Sequence, residues 1–378
     1  MMLRDARVEQ LGQCWPGVHT ARVRITRAPA SATLCRDGEV VWALAYVDTV
    51  GTLREGASVR IDVSVLAKRL GTGGQALVTA VLDGELPDDV LPDHGGHIVK
   101  ARYTPAQTLV LAAEEQNSPH HAVIAEARDL AGLPIIACDL HSMVPAVIAG
   151  IRLVTPNARV AYVMTDGAAL PAAYSRTLAG LREAGWISDV ITCGQAYGGS
   201  LEAVSIPSAL LVARHVGAAD IVVASQGPGN AGTGTPWGFS GVDVAWVLTA
   251  AARLGGHPIA ALRVSSGDQR GRHCGISHHT RAAVGTLTPV GVDVALPLFS
   301  ASSQLDAEAR SVVGDLRADV RELADRRHRV VEVDTTGLAE ALAEVPVTLS
   351  TMGRSLSEDP ATFLAAGAAG IAGARALS

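Results

Sequence analysis

The sequence predicts an α/β protein with a doubly wound, mainly parallel sheet and a small β-barrel domain at its N-terminus. From residue 104 onward, short apolar runs alternate with segments of helical periodicity, as in a sheet covered by helices on both faces. In the first hundred residues, β-rich segments instead follow one another directly, with glycine turns between them. Hydrophobic residues make up 48% of the chain, which is enough for a large buried core.

Residues 1–103 are predicted to form the β-barrel-like domain. Turn signals at 36–38, 54–56 and 71–74 separate its short strands, and strands at this spacing are typical of a small barrel. The stretch 87–96, rich in Asp, Pro and Gly, is predicted to be a linker, and residues 96–102 are expected to return to the barrel. The predicted strands are 21–26, 31–34, 39–46, 58–65 and 76–82.

Residues 104–355 are predicted to form an α/β Rossmann-like domain, and residues 356–378 a helical tail packed on it. Thr104-Pro105 and Ser118-Pro119 match a helix N-cap followed by proline, which predicts helices to about 116 and 131. The further predicted strands are 134–139, 159–164, 190–193, 220–225, 258–264, 292–296, 329–333 and 347–351. The further predicted helices are 143–151, 170–184, 201–216, 242–254, 278–284, 305–324 and 338–344.

Composition excludes several classes of protein. The net charge of −6 and the 3% of aromatic residues disfavour nucleic-acid binding, which needs a basic surface or a stacking platform. No apolar run is long enough to cross a bilayer, and the first residues lack the apolar core of a signal peptide, so a cytoplasmic protein without membrane contact is expected. The five cysteines form no C-x-x-C pair and predict neither a disulfide framework nor a zinc ribbon.

A glycine-rich segment, 227–241, follows a predicted buried strand and is the strongest indication of a binding site. Glycines allow a ligand to approach the backbone, and free N–H groups in such a loop can bind an anion. It is not a dinucleotide fingerprint, because irregular sequence with Pro236 continues past the G-x-G-x-x-G match at 227–232. A long structural turn is the alternative. The predicted ligand-binding residues here are Gln226, Gly227, Gly229, Asn230, Gly232, Thr233, Gly234 and Thr235.

Polar side chains follow several predicted strands at their carboxyl ends. In a doubly wound sheet these ends meet at one edge, so we expect His141, Asp166, Gln226 and Ser265 to share a cleft. His141 and Asp166 are predicted to carry protons, and Ser265 to contact the ligand. For each residue alone, a turn or a helix cap is the competing interpretation.

The polar segment 268–280 contains two arginines and three histidines. Arg272 is predicted to balance the charge of an anionic ligand, and His273 to act as a general acid or base. Because neighbouring residues point differently on a helix, at most one of His278 and His279 is expected to serve the cleft. Although His273 and His278 could join a carboxylate in binding a metal, no standard ligand spacing is present, and no metal is assigned. The alternative is a solvated loop.

Six segments together resemble an uncharacterised bacterial family, domain of unknown function 3866. They occur in a consistent order over nearly the whole chain. The resemblance supports the domain arrangement but implies no activity, substrate or catalytic residue. The segments are Leu70-Gly-Thr-Gly-Gly74, Leu140-His-Ser-Met143, Met164-Thr-Asp-Gly167 with Leu170-Pro171, Ala196-Tyr-Gly-Gly199 with Leu201-Glu-Ala203, the 227–241 loop, and Gly275-Ile-Ser-His-His-Thr280.

We therefore expect an enzyme, or an enzyme-like protein, that binds a small anionic ligand bearing a phosphate or carboxylate group at the carboxyl edge of the sheet. A non-catalytic ligand sensor or an assembly module is the alternative. No cofactor is assigned, and whether the protein is an enzyme stays open. An apolar loop face around Trp237 makes a homodimer possible.

Overall fold

The computed structural model describes residues 1–68, 73–84, 95–299, 305–325 and 327–377. Backbone contacts divide these residues into two units. The smaller contains the described residues among the first 94, together with Thr104–Thr108 and Ala173–Ala179. The larger contains Gly95–Tyr103, Leu109–Ala172 and the described residues from Gly180 onward.

The smaller unit contains a closed five-stranded barrel in the order β1-β2-β3-β5-β4. Strand pairs are antiparallel except β3 with β5, and alternating side chains such as Ala6, Val8, Val59 and Ile61 fill the interior. The elements are β1 (Leu3–Trp15), β2 (Val18–Arg27), β3 (Val40–Tyr46), α1 (Val47–Val50), β4 (Ser58–Asp62), α2 (Ser64–Ala67) and β5 (Gln75–Val81).

The larger unit is built on an eight-stranded sheet in which every strand pair is parallel. The strands beyond residue 95 are β6 (Ile98–Lys100), β7 (Thr108–Val110), β8 (Pro134–Ala137), β9 (Val160–Thr165), β10 (Asp189–Thr192), β11 (Leu201–Glu202), β12 (Ile221–Gln226), β13 (His257–Ala260), β14 (Val264–Ser265), β15 (Gly275–Ile276), β16 (Asp293–Leu298), β17 (Arg329–Asp334), β18 (Ser350–Thr351) and β19 (Arg354–Ser355). The sheet order is β11-β10-β9-β12-β8-β13-β16-β17, while β6–β7, β14–β15 and β18–β19 form separate two-stranded pairs. These results confirm the predicted fold class.

Helices cover this sheet in two groups. The helices are α3 (His121–Glu126), α4 (Val144–Val154), α5 (Arg176–Glu183), α6 (Ile206–His215), α7 (Val244–Arg253), α8 (His278–Thr280), α9 (Ala307–Val313), α10 (Leu316–Ala324), α11 (Leu338–Ala343) and α12 (Pro360–Arg375). Helices α4, α11 and α12 pack together, and α7 packs against α6 and against the π-helical turn Arg281–Leu287 that follows α8. Short 3₁₀ turns lie at His141–Met143, Ala172–Tyr174, Ser240–Asp243 and Gly271–His273.

Helix α12 is buried along its length because small residues let it approach α4 at backbone distance. A Cβ atom at Gly370 would overlap the carbonyl oxygen of Val147, and one at Gly150 would overlap that of Gly367. Residues Pro360–Ala374 are buried. In the described part of the chain, no helix is both long enough and apolar enough to cross a membrane.

Two predictions for residues 96–131 are wrong. The predicted helix to residue 116 is replaced by β7 and turns, and the segment expected to return to the barrel forms β6, which pairs with β7. Tertiary contacts explain the first difference, since the Glu115 carboxylate accepts the backbone N–H of His97 at 2.7 Å and the backbone N–H of Ala113 donates to the carbonyl of Glu202 at 2.8 Å. The second predicted helix is confined to α3.

Elsewhere one predicted strand is missing and other predicted elements are divided or shortened. The expected strand at 31–34 is absent, and Gly314 divides the predicted helix 305–324 into α9 and α10. The predicted strand at 347–351 is reduced to β18, which pairs only with β19. Part of the 71–74 turn and most of the 87–96 linker lie outside the described residues.

Candidate functional site

The candidate site lies where the connections of the sheet change direction. The connection from β8 to β9 runs toward the β11 edge of the sheet. The connection from β12, which lies between β8 and β9, to β13 runs toward the opposite edge, at β17. The carboxyl ends of two adjacent strands that diverge in this way leave a crevice, the usual ligand position in open α/β sheets. Asp139 and His141 follow β8, and Gln226 ends β12, so this crevice is where the sequence places its polar residues.

Gln226 and Gly241 both contact the backbone carbonyl of Asp139 at the base of the crevice. The Gln226 side-chain amide donates a hydrogen bond of 3.1 Å to the carbonyl of Asp139. Gly241 lies against the same carbonyl, and a Cβ atom there would come within 2.7 Å of it. The end of the glycine-rich loop is therefore fixed to the strand ends, and only glycine fits at position 241.

The glycine-rich loop is a hairpin held by its own polar side chains. The Thr233 and Thr235 hydroxyls lie 2.9 Å apart, and the Thr233 hydroxyl donates to the carbonyl of Gly238. The Ser240 hydroxyl donates to the Asn230 side-chain oxygen at 2.8 Å. Three side-chain oxygens predicted to bind ligand thus already have partners within the loop, and their role toward a ligand stays a prediction.

This hairpin rests on the polar segment 268–280. Phe239 stacks on the His279 ring, with centroids 3.8 Å apart and planes 3° apart. A Cβ atom built at Gly232 would lie 3.7 Å from the His279 ring, and one at Gly234 would lie 3.5 Å from the Arg272 guanidinium. The structure therefore brings the glycines of the loop together with Arg272 and the histidines, residues about 40 positions later in the sequence.

Three histidines form a cluster beneath this loop. One ring nitrogen from each of His273, His278 and His279 lies within 4.8 Å of the others. The rings of His278 and His279 lie close together, with centroids 4.2 Å apart, so the two side chains do not point apart as the sequence suggested. How many of them serve the cleft stays a prediction. They open the short helix α8, and both side chains turn toward His273, 4.9 and 5.0 Å away between centroids.

All three imidazoles are held in the neutral form. Burial, followed by the charge of Arg263, lowers the pKa of His273 to about 4. Burial, followed by the neighbouring His278, lowers the pKa of His279 to about 3. The pKa of His278 is lowered as well, by burial and then by Arg272. At neutral pH the rings carry lone pairs rather than charge.

Three arginines, Arg263, Arg270 and Arg272, act electrostatically on the cluster, and of these only Arg270 has a carboxylate partner among the described residues. Asp268 pairs with Arg270 at 2.7 Å and with Arg354 at 3.2 Å, and Asp359 pairs with Arg354 at 3.0 Å. The remaining two, Arg263 and Arg272, form no ion pair within the described ranges. Arg272 is exposed, but Arg263 is buried, with 4% of its surface accessible.

Ser265 has a structural partner in Asp359. Its hydroxyl donates to the Asp359 carboxylate at 2.6 Å and accepts the backbone N–H of Asp268. The same carboxylate accepts the N–H groups of Ser266 and Gly267. Asp359 therefore shapes the loop after β14, while a ligand contact of Ser265 stays a prediction.

His141 is buried against a tyrosine. Its Nδ1 atom lies 3.0 Å from the Tyr162 hydroxyl, which also contacts the carbonyls of Ser225 and Gln226 at 3.1 Å. Burial lowers the pKa of His141 to about 4, so the ring is neutral at physiological pH. Its predicted role in proton transfer stays a prediction.

Asp166 and Asp243 form a pair of neighbouring carboxyls. Asp166 accepts the N–H groups of Gln195 and Ala169, at 2.8 and 3.2 Å, as in a turn. Burial and then the charge of Asp166 raise the pKa of Asp243 to about 6. Sequence reasoning missed Asp243, although an acidic residue between a glycine-rich loop and a helix is a recognisable signal.

Asp139 and Arg263 are two further charged residues near the candidate site that were not among the site residues predicted from the sequence. Asp139 is buried, and neither of its carboxylate oxygens has a hydrogen-bond partner among the described residues. Burial raises the pKa of Asp139, and the charge of Arg263 opposes this. Arg263 could have been found as the one charged residue within the apolar run 258–264.

A comparison with protein-family models matches residues 42–370 to the family described as "Protein of unknown function (DUF3866)". The chain belongs to this family. The resemblance drawn from the sequence motifs is thereby confirmed. No curated protein and no solved structure matches the DUF3866 chain, so the comparisons assign it no activity.

Proposed function

We propose that the protein binds a small anionic ligand, bearing a phosphate or carboxylate group, at the carboxyl edge of the sheet and acts on it as an enzyme. The observation that carries the proposal is the pair Arg263 and Arg272, two guanidinium groups without a carboxylate partner among the described residues. Arg272 lies on the polar segment 268–280 beside Gly234, and Arg263, five residues before this segment, contacts its His279.

The burial of Arg263 makes this pair unusual. Charged side chains are rarely buried unless they are paired, because removing them from water is costly. Within the described ranges, the hydrogen-bond contact of the Arg263 side chain is a long one, 3.4 Å, to Nδ1 of His279, and the charges of Asp139 and Asp268 act on it from further away. An incoming anion would complete the charge balance, and guanidinium groups match phosphate and carboxylate oxygens in geometry.

The loop supports the same ligand class. Its hairpin is fixed by internal hydrogen bonds and by the Phe239 stack, so a ligand would meet a preformed surface. Gly234 lies beside Arg272, and a glycine there lets an anion approach backbone and guanidinium together.

A non-catalytic ligand sensor is the second candidate. It is favoured by the contacts of the predicted proton carriers, because both carboxylate oxygens of Asp166 accept backbone N–H groups and Nδ1 of His141 contacts Tyr162. Asp243 supports the enzyme instead, since a carboxyl with a pKa of about 6 can exchange protons near neutral pH.

The test is a thermal-shift series on the full chain with inorganic phosphate, sugar phosphates, nucleotides and small carboxylates. A ligand at 100 times its dissociation constant should add about 2.7 kcal/mol of stability. The shift should disappear in Arg272→Ala and persist in Arg253→Ala, an exposed arginine in the last turn of α7. A shift that survives Arg272→Ala, or no shift from any of these anions, would contradict the proposal.

The ligand found in this way then separates the two candidates. An enzyme should convert it at a rate that depends on pH and falls in Asp243→Asn. If the ligand binds tightly and remains unchanged on prolonged incubation, the sensor is the correct description.

A further inference from the structure

The histidine cluster has properties that anion binding leaves unexplained. The Nε2 atoms of His278 and His279 are buried, and neither has a hydrogen-bond partner among the described residues. A buried polar atom without a partner destabilises the folded state, and here two of them belong to adjacent residues. Such a pair indicates a missing partner.

Three neutral imidazoles are a known type of metal-binding set. One nitrogen from each ring lies within 4.8 Å of the others. Three histidine ligands with a fourth position open occur in catalytic zinc sites. From these observations we infer that His273, His278 and His279 form a binding site for a divalent transition-metal ion.

The surroundings hold the rings in place, as outer contacts do in metal sites. Nδ1 of His273 lies 2.8 Å from the Ser277 hydroxyl oxygen, which can accept a hydrogen bond from the Nδ1–H group. In that tautomer the Nε2 lone pair is free for the metal. Phe239 fixes the plane of His279 by stacking on it. The π-helical turn Arg281–Leu287 begins directly after α8, and π-helical turns in proteins are frequent at functional sites.

Arg263 sets one condition on metal binding. Its N–H group points at Nδ1 of His279, which favours the tautomer with the proton on Nε2. Coordination through Nε2 would require the other tautomer, in which the proton lies on Nδ1. An N–H group at Nδ1 cannot accept a hydrogen bond from Arg263, so the Arg263 guanidinium would have to turn away. Arg263 can turn toward the carboxyl group of Asp139, which has no hydrogen-bond partner among the described residues and whose charge already acts on Arg263.

The ligand set and the local charge select the kind of metal. Imidazole nitrogens suit zinc, copper, iron and nickel, whereas magnesium and calcium require oxygen ligands. The positive charges of Arg263, Arg270 and Arg272 disfavour a bare cation, so we expect a moderate affinity that increases when the metal carries an anion.

The experiment is a titration of the full chain, free of any histidine tag, with Co²⁺ alone, followed by its visible absorption and by equilibrium dialysis with elemental analysis. We expect one ion per chain, with absorption bands typical of nitrogen-coordinated cobalt. His278→Gln should weaken binding by about tenfold or more, on the order seen when metal sites are perturbed. His215→Ala, a matched exposed histidine at the end of α6, should bind as the wild type does.

Because His279 is buried and its replacement can disturb the fold, His278→Gln is the primary variant and its folding is checked by circular dichroism. Equal Co²⁺ binding by the wild type and a folded His278→Gln variant, or no binding by the wild type, would overturn the inference. The outcome is independent of the proposed function, since the phosphate shift is measured without metal and depends on Arg272.

Discussion

Phe239 lies flat against His279, with the two ring planes 3° apart, and this contact joins the glycine-rich loop to the histidine cluster. Phe239 is 5% exposed, whereas Trp237, two residues earlier, is 54% exposed. One aromatic residue of the loop therefore anchors it, and the other faces solvent. The position of the loop over Arg272 and His279 depends on this anchor.

Phe239→Ala should release the loop without unfolding the sheet. Truncating a buried phenylalanine costs about 3–5 kcal/mol in a core, but a loop can open locally before the whole protein unfolds. We expect faster hydrogen exchange and faster chymotrypsin cleavage after Trp237, with a small change in melting temperature. Trp246→Ala, on the exposed side of α7, serves as the control. Unchanged exchange in the loop would show that the stack is not its anchor.

Gly370→Ala should destabilise the larger unit. The added methyl group would overlap the carbonyl of Val147, so α12 and α4 must separate. Overpacking of a core typically costs about 1–3 kcal/mol, and contact with a rigid backbone places this variant at the upper end. Chemical denaturation measures the loss. Gly271→Ala, where a Cβ atom meets nothing within 4 Å, should change stability little, and equal losses in both variants would refute the argument.

Asp243→Asn should stabilise the protein at neutral pH. The pKa of Asp243 is raised from 3.8 to about 6, so the folded state retains a proton that the unfolded state releases. Stability is therefore lost as the pH rises from 3.8 to about 6, and the Asn variant avoids this loss. We expect a gain on the order of 1 kcal/mol at pH 7, since solvent screens a partly exposed group, and no gain below pH 4. Melting temperatures across this range provide the measurement.

His141→Gln should make the free energy of unfolding fall less steeply than in the wild type as the pH is lowered from 6.5 to 4. The pKa of His141 is lowered from 6.5 to about 4, so acid protonates the unfolded state first. Stability is then fully present above pH 6.5 and is lost as the pH falls toward 4, by on the order of 3 kcal/mol for this group. Glutamine retains a polar contact to Tyr162 but does not titrate. Parallel profiles for variant and wild type between pH 6.5 and 4 would contradict the prediction.

Arg263→Gln should change metal and anion binding in opposite directions. The glutamine side-chain oxygen can accept a hydrogen bond from Nδ1–H of His279. This contact favours the tautomer whose Nε2 lone pair is free for the metal, so Co²⁺ should bind more tightly, on the order of tenfold. Removing a buried positive charge should reduce the thermal shift given by phosphate. Titration and thermal shift on the same preparation measure both effects, with Arg253→Gln as the control. A parallel loss of both would indicate that Arg263 only maintains the fold.

The sequence by itself determined the class of the fold and the edge of the sheet on which the candidate site lies. Hydrophobic periodicity distinguishes strands from helices, and parallel strands place their carboxyl ends together. It therefore predicted the barrel, the parallel sheet and the crevice that receives Gln226 and the loop after β12.

Only the tertiary structure decided which polar groups meet there. The stack of Phe239 on His279, the convergence of three histidines and the burial of Arg263 join segments separated by up to 40 residues. Local sequence does not encode such pairings, because they depend on side-chain direction at the ends of strands. The same holds for the segment before residue 116, where the contacts of Glu115 with His97 and of Ala113 with Glu202 override a local helix signal.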